Sequence, residues 1–302
     1  LDTEKNEQAE PLLNQALRVF EKVLGPDHPK AAAACHKLGD IYRQRRDYGK
    51  AESFFSRALA IDRKSPKANE ADMARDAGSL AELYRLQKKY PEAEKFYKQA
   101  IAIKEKLYGK SSAELTANLN NLAAIYYSQG RYAEARNLIK RALTINKKTP
   151  QKGQIHVAKN LNNLAAVYYY QQIYKKSEEL FREALELDEK LLGKDHQDVA
   201  RDLSNLAALY YSMQKYSRAE PLFLRALEID EKKSGQKSHS RGSQYDQLGG
   251  ILLRPGQTTP GGIAVPAGIG DKGKTPAAQR PGTIKLDDQF RGLLFCHRGI
   301  RR

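Results

Sequence analysis

The chain is predicted to be all-α: a superhelical solenoid of antiparallel helix pairs, followed by a disordered, basic, Gly/Pro-rich tail. Three observations predict it. Tyr48, Tyr90, Tyr132, Tyr174 and Tyr216 recur at a strict interval of 42 residues. Between them apolar residues such as Leu122, Ile125 and Tyr126, then Ala135, Leu138, Ile139 and Ala142, fall at helical spacing, which makes each interval two amphipathic helices. Small residues also recur beside large ones. Gly39, Ala81, Ala123, Ala165 and Ala207 form one column, Ala51, Ala93, Ala135, Ser177 and Ala219 a second, and Phe55, Tyr97, Ile139, Phe181 and Phe223 a third. Small side chains let crossing helices approach while the large neighbour fills the adjacent space. One such pair cannot hide its own apolar faces, so successive pairs must stack.

The elements follow in chain order. Counting back from Tyr48 places residues 7–24 on the second helix of a truncated repeat, so 1–30 are read as that helix plus a link. Leu1 in place of a start methionine predicts that the native N-terminus lies upstream. Residues 31–235 form the array of five pairs. "QGRY" at Gln129 to Tyr132 turns the chain within a pair, and Pro11, Pro91 and Pro221 are placed in the first turns of second helices, where a missing N–H is tolerated. In "LGPDHP" (Leu24 to Pro29) and "LGKDHQ" (Leu192 to Gln197) glycine ends one helix and aspartate is expected to cap the next. Leu248, Gly249 and Ile251 continue the first-helix register, which predicts a capping helix over 236–252. From 253 to 302 glycine and proline crowd a segment without period, read as a disordered tail. Residues 233–302 hold 12 Lys/Arg against 4 Asp/Glu, half of the net charge of +16.

A period near 42 also suits HEAT repeats or propeller blades, but blades need strands and these windows have helical period. The pattern L-A-x-x-Y, Y-x-x-A, F/Y, A-L resembles the tetratricopeptide repeat in a lengthened form similar to that of kinesin light chains, best seen from Val157 to Ala200. The resemblance covers about three quarters of the chain and implies a right-handed superhelix whose first helices line the concave face.

On that face the resemblance implies a ladder, Asn121, Asn163 and Asn205, of the kind that clamps peptide backbones, continued by Ser79 and Lys37. An amide offers one acceptor and two donors, so it pairs with a peptide unit in both directions. Arg75, Lys159 and Arg201 stand beside it and favour an acidic peptide or a terminal carboxylate. Tyr127, Tyr169 and Tyr211 could grip an apolar anchor. In the alternative, the asparagines satisfy backbone groups between helices and the cations are ordinary solvated charges. The column Tyr42, Tyr84, Tyr126, Tyr168 and Tyr210 lies on the apolar stripe and is read as core.

No H-x-x-x-H, C-x-x-C, nucleophile elbow or Walker-type loop occurs, so no catalytic site, metal or cofactor is expected. Cys35 and Cys296 are too few for a disulfide framework and point to a reducing, cytoplasmic setting. The expected function is a non-enzymatic scaffold or adaptor that binds an extended acidic peptide of a partner protein, with no small-molecule substrate. The alternatives are a kinesin-light-chain-like cargo adaptor, or the sensor or docking arm of a larger enzyme or signalling ATPase. The basic tail could add contacts to nucleic acid or anionic membrane.

Overall fold

The computed structural model describes residues 2–65, 70–149 and 152–234. The helix expected over 236–252 and the tail over 253–302 lie outside them. Among the described residues every regular element is helical: α1 (Asp2–Leu24), α2 (Pro29–Gln44), α3 (Tyr48–Lys64), α4 (Glu70–Leu86), α5 (Tyr90–Tyr108), α6 (Thr116–Ser128), α7 (Tyr132–Lys147), α8 (Lys152–Tyr170), α9 (Tyr174–Leu192), α10 (Gln197–Ser212) and α11 (Tyr216–Ser234). A 3₁₀ turn, Ala113–Leu115, precedes α6. The chain divides into two compact units between Asn160 and Leu161, within α8. In the first unit α1 to α7 pack each on the next in chain order; in the second α10 packs on both α9 and α11.

Within a pair the small and large columns do what their sizes dictate. Ala51, Phe55 and Ala58 on α3 are fully buried, as are Ala93 and Ala100 on α5, with Tyr97 between them nearly so. A Cβ added to Gly39 would meet the Phe55 ring at 2.7 Å, so α2 and α3 touch backbone to ring there. Each buried aromatic of this size contributes on the order of 1.5–3 kcal/mol of transfer free energy. In the second unit Ser177 takes the alanine place, and its hydroxyl donates to the Ala165 carbonyl at 2.8 Å, which satisfies the buried oxygen.

The turn inside each pair needs a residue in the left-handed region. Gly130 fills it with φ 74°, but Arg46, Lys88, Gln172 and Gln214 take the same place with φ between 58° and 63°. Side chains with a Cβ are disfavoured there, so four turns carry strain that one avoids. Between pairs Gly25, Gly109 and Gly193, 84 residues apart, have φ near 90°.

Two local expectations are corrected. The caps of α2 and α10 are His28 and His196, whose Nδ1 atoms accept from the Lys30 and Asp198 amides at 3.2 and 3.1 Å; Asp27 and Asp195 sit one residue too early. Pro91 lies in the first turn of α5, but Pro11 and Pro221 fall inside α1 and α11, because α1 begins at Asp2 and α11 at Tyr216.

Successive pairs are joined by contacts that repeat with the period. Tyr42, Tyr84 and Tyr126 are held by their rings in or beside the core and donate their hydroxyls to Glu10, Glu52 and Glu94 of the preceding second helix, the last two at 2.9 and 3.0 Å. In the second unit Tyr210 reaches Glu178 at 2.8 Å. Bonds from Lys98, Arg131 and Tyr126 outweigh the effect of burial and hold Glu94 down to about 2. A second row joins one second helix to the next, and its polarity alternates. Glu21 pairs with Arg57, Arg63 bonds Gln99 at 3.0 Å, Glu105 pairs with Arg141 at 2.6 Å, and in the second unit Glu189 pairs with Arg225 at 2.6 Å. In the sequence, Lys147 and Glu183 occupy the corresponding positions with the signs exchanged.

Two substitutions test this geometry in opposite directions. Gly39→Ala pushes a Cβ into a ring with no free space and should lower the unfolding free energy by ~1–3 kcal/mol. Lys88→Gly relieves a left-handed residue and should raise it by roughly 0.5–1 kcal/mol. Urea unfolding followed by circular dichroism measures both.

Candidate functional site

The side chains that vary most in chemistry lie where one pair meets the next. In α3, α5, α7 and α9 a polar residue near the helix end is followed, 14 positions on, by a polar residue of the next first helix: Asp62 and Asp76, Lys104 and Asn118, Asn146 and Asn160, Asp188 and Asp202. All but Lys104 are buried, with Asp76, Asn160 and Asp202 fully so. The sequence reading missed these positions, although the 42-residue register displays them once the columns beside the tyrosines are followed.

Two of the joints are built alike, three repeats apart. At the α3–α4 joint Asp76 lies 2.7 Å from His36 Nδ1 and accepts from Arg75, which also pairs with Asp72. At the α9–α10 joint Asp202 accepts from Asn162 Nδ2 at 2.8 Å and from Arg201 at 3.2 Å. Arg201 also pairs with Asp198, and with Asp188 at 3.5 Å. Burial, reinforced by the charges of Asp76 and Asp72 and opposed by Arg75, pushes Asp62 up to about 7. Burial and the neighbouring Asp188 likewise raise Asp202 against the pull of Arg201. Burial opposes protonation of His36, but its bonds to Asp40 and Asp76 outweigh it and its pKa rises.

The predicted site residues are distributed unevenly over this framework. Arg75 and Arg201 face the joints with aspartates already paired to them, so their charge is largely compensated within the protein. Asn163 and Asn205 are buried at 8% and 5% exposure, where the sequence placed them on an open face. First helices such as α10 are packed on nearly every side, leaving a narrower open stripe than a helical wheel suggests. Tyr127 is 5% exposed, its ring edge-on to Tyr132. Tyr169 and Tyr211 are half-buried; the Tyr169 hydroxyl lies 2.8 Å from Ser212 Oγ, and Tyr211 packs edge-on to Tyr216. Lys159 is half-buried in the first unit.

Arg75 and Asn121 are brought together. They line a cavity of 410 Å³ in the first unit, among α4, α5 and α6. Two small residues belong to its lining, and a Cβ added at the first of them, Gly78, would meet Asn118 Nδ2 at 3.3 Å. Gly78 and Ser79 stand where other repeats carry His36 and Lys37, Asn120 and Asn121, or Asn162 and Asn163. On one wall the Tyr97 hydroxyl donates to Glu82 at 2.7 Å, and Arg85 grips the same carboxylate with two bonds of 2.8 and 2.6 Å. Phenylalanine or isoleucine occupies the Tyr97 position in the other repeats, so the polar tip is particular to this cavity. On another wall Lys104 Nζ donates to the Glu114 carbonyl and to Asn118 Oδ1, both at 3.0 Å. The arrangement offers donors from Lys104, Asn121, Ser79 and Arg43 to a ligand lying across α4 and α6. Among the described residues no group of three or more His, Cys, Asp or Glu is placed to hold a metal ion.

The buried acids predict a pH dependence. Asp62 keeps its proton in the fold at pH values where the unfolded chain has lost it, so stability is greatest below the ordinary carboxylate range and falls as pH rises toward 7. His36, also raised, acts in the same direction, and Asp40, lowered by its bonds to His36 and Arg43 despite burial, opposes it only in acid. Asp62→Asn should remove most of the slope between pH 5 and 8 and add on the order of 1–3 kcal/mol at pH 8, measured by urea unfolding across that range.

Comparison with known proteins bears on the family. The tetratricopeptide repeat model matches residues 1–64, 72–148 and 156–232. No curated protein matches the chain. Among solved structures the fold resembles BtubC (BKLC) from P. vanneervenii, at 22% identity over 79% of this chain and 95% of that one, TM-score 0.66. It also resembles the nearly identical TPR-like repeats of a putative kinesin light chain of Podosopora anserina, at 22% identity over 69% and 99%, TM-score 0.61. A third is the Rap conjugation gene regulator of the plasmid pLS20 in complex with the Phr* peptide, at 19% identity over 75% and 60%, TM-score 0.54. At these identities the structural likenesses speak for the fold alone. The 42-residue helix pairs and the three family matches, which together span most of the described residues, make the chain a member of the tetratricopeptide repeat family.

Proposed function

We propose that the chain is a non-enzymatic protein-interaction scaffold that takes an extended, acidic peptide of a partner protein in the groove lined by its first helices. The observation that carries this reading is the cavity lined by Gly78, Ser79, Lys104 and Asn121, which donor groups surround. A neutral amide at Asn121 suits a peptide backbone, and the cationic group of Lys104 suits an acidic side chain. The Rap regulator bound to its Phr* peptide supports the use of this fold for peptides. Each neutral hydrogen bond contributes only ~1 kcal/mol net, so micromolar binding, about −8 kcal/mol, needs several such bonds and an anchor.

The test is an array of 12-residue peptides probed with the whole chain and with Ser79→Trp, which fills the cavity while leaving the buried columns alone. Acidic peptides should bind the parent with micromolar Kd and lose at least tenfold in affinity for the variant, whose circular dichroism and Tm stay those of the parent. Absence of peptide binding by the parent, or equal binding by both, would overturn the reading.

A further inference from the structure

Among the described residues Lys104 is the one lining cation without an ion pair. The other lining cations are committed, Arg75 to Asp72 and Asp76 and Arg43 to Asp40 at 2.9 Å; of the lining acids, Glu82 is paired to Arg85 and Glu114 makes no ion pair. Lys104 instead donates to two neutral oxygens, the Glu114 carbonyl and Asn118 Oδ1. An ammonium has three N–H donors, so one remains for a ligand. Among the described residues no carboxylate lies within ion-pair distance of it; the Glu114 charge acts only from farther away. The side chain is half-buried, and desolvation lowers its pKa, only partly offset by Glu114.

The register shows how unusual this placement is. Position 104 is occupied elsewhere by Asp62, Asn146 and Asp188, and its partner position by Asp76, Asn160 and Asp202. Two of those joints bury acid against acid; this one exchanges the acid for a base. The same joint borders the cavity that Gly78 and Ser79 help to line. Charge reversal and the cavity therefore coincide at one place, within one unit.

We propose that Lys104 is the recognition group for one carboxylate of the bound peptide, seated in the cavity that Lys104, Gly78 and Ser79 line together. This rests on the peptide-binding reading above and names its anchor, which comes from a second helix rather than from the asparagine ladder of the first helices. A carboxylate there accepts the third N–H, restores the charge balance of a half-buried ammonium and forms the strong, charge-assisted type of bond. The shared chemistry is a carboxylate, whether of an Asp or Glu side chain or of a chain terminus.

The experiment uses the full chain and its Lys104→Met variant, which keeps the length of the side chain and removes its charge. Peptides selected on the parent array are resynthesised in three forms: native, with each Glu or Asp changed to Gln or Asn, and with the C-terminus amidated. Affinities are measured by fluorescence anisotropy. In parallel the Lys104 side-chain NMR signal is titrated with pH in the presence of acetate or acetamide. The expected result is a tenfold or greater loss for Lys104→Met with the native peptide and an equal loss in the parent for one neutralised form. That form identifies a side chain or a terminus as the source. Acetate should raise the Lys104 pKa while acetamide leaves it unchanged. Native peptides that bind Lys104→Met as well as the parent would sink the subsite and leave the groove standing. Equal losses for native and fully neutralised peptides would mark Lys104 as structural, against the proposal. A chain that binds no peptide and a Lys104 signal indifferent to acetate would overturn both readings together.

Discussion

The close approach of the two helices of a pair is the constraint on which the rest depends. Where Gly39 or an alanine faces a buried ring, the distance between helices is set by hard contact, and an extra methyl group has nowhere to go. That distance fixes how far the next pair sits, and so which residues of neighbouring pairs meet. The tyrosine hydroxyls reach the carboxylates of the preceding helix because the spacing is reproduced each time. The same regularity makes a departure conspicuous: among α4, α5 and α6 a cavity lined in part by Gly78 and Ser79 interrupts the packing.

The joints carry the functional character because they are where polar groups are desolvated. A buried aspartate facing a second aspartate is stable only if one holds a proton or a cation neutralises it. The α3–α4 and α9–α10 joints use His36, Arg75, Asn162 and Arg201 for this purpose. These side chains then have little left to offer a partner. The α5–α6 joint solves the same problem with the opposite sign and without a carboxylate, by hydrogen bonds from Lys104 to the Glu114 carbonyl and Asn118 Oδ1.

The repeat was legible in the sequence because its signal is residue size and polarity at a fixed interval: Tyr48 and its successors, Ala51, Ala58 and Leu38 speak for themselves. The strained turns at Arg46, Lys88, Gln172 and Gln214 were not, since four of five turns lack the glycine that would announce a left-handed residue. Asn163 and Asn205 were placed on an open face because a helical wheel knows only one neighbour, whereas α10 is enclosed by several. The pairing of Arg75 was not legible, because Asp72 and Asp76 belong to the same helix and their orientation depends on packing. Lys104 carries no signal of its own, since it lies on a second helix and stands out only by contrast with Asp62 and Asp188 in the same column.

The alternating ion pairs of the second helices bear on how such an array can change length in evolution. Loss of a single 42-residue unit by unequal recombination would set Arg63 against Arg141, or Glu105 against Glu183, bringing like charges together. Loss of two adjacent units restores Glu21 to Arg141 or Glu105 to Arg225. A deletion alters one junction, and an exposed pair is worth only ~0.2–1 kcal/mol, so the bias is small; its direction nonetheless favours arrays that shorten or lengthen by two units, which keep opposite charges facing one another.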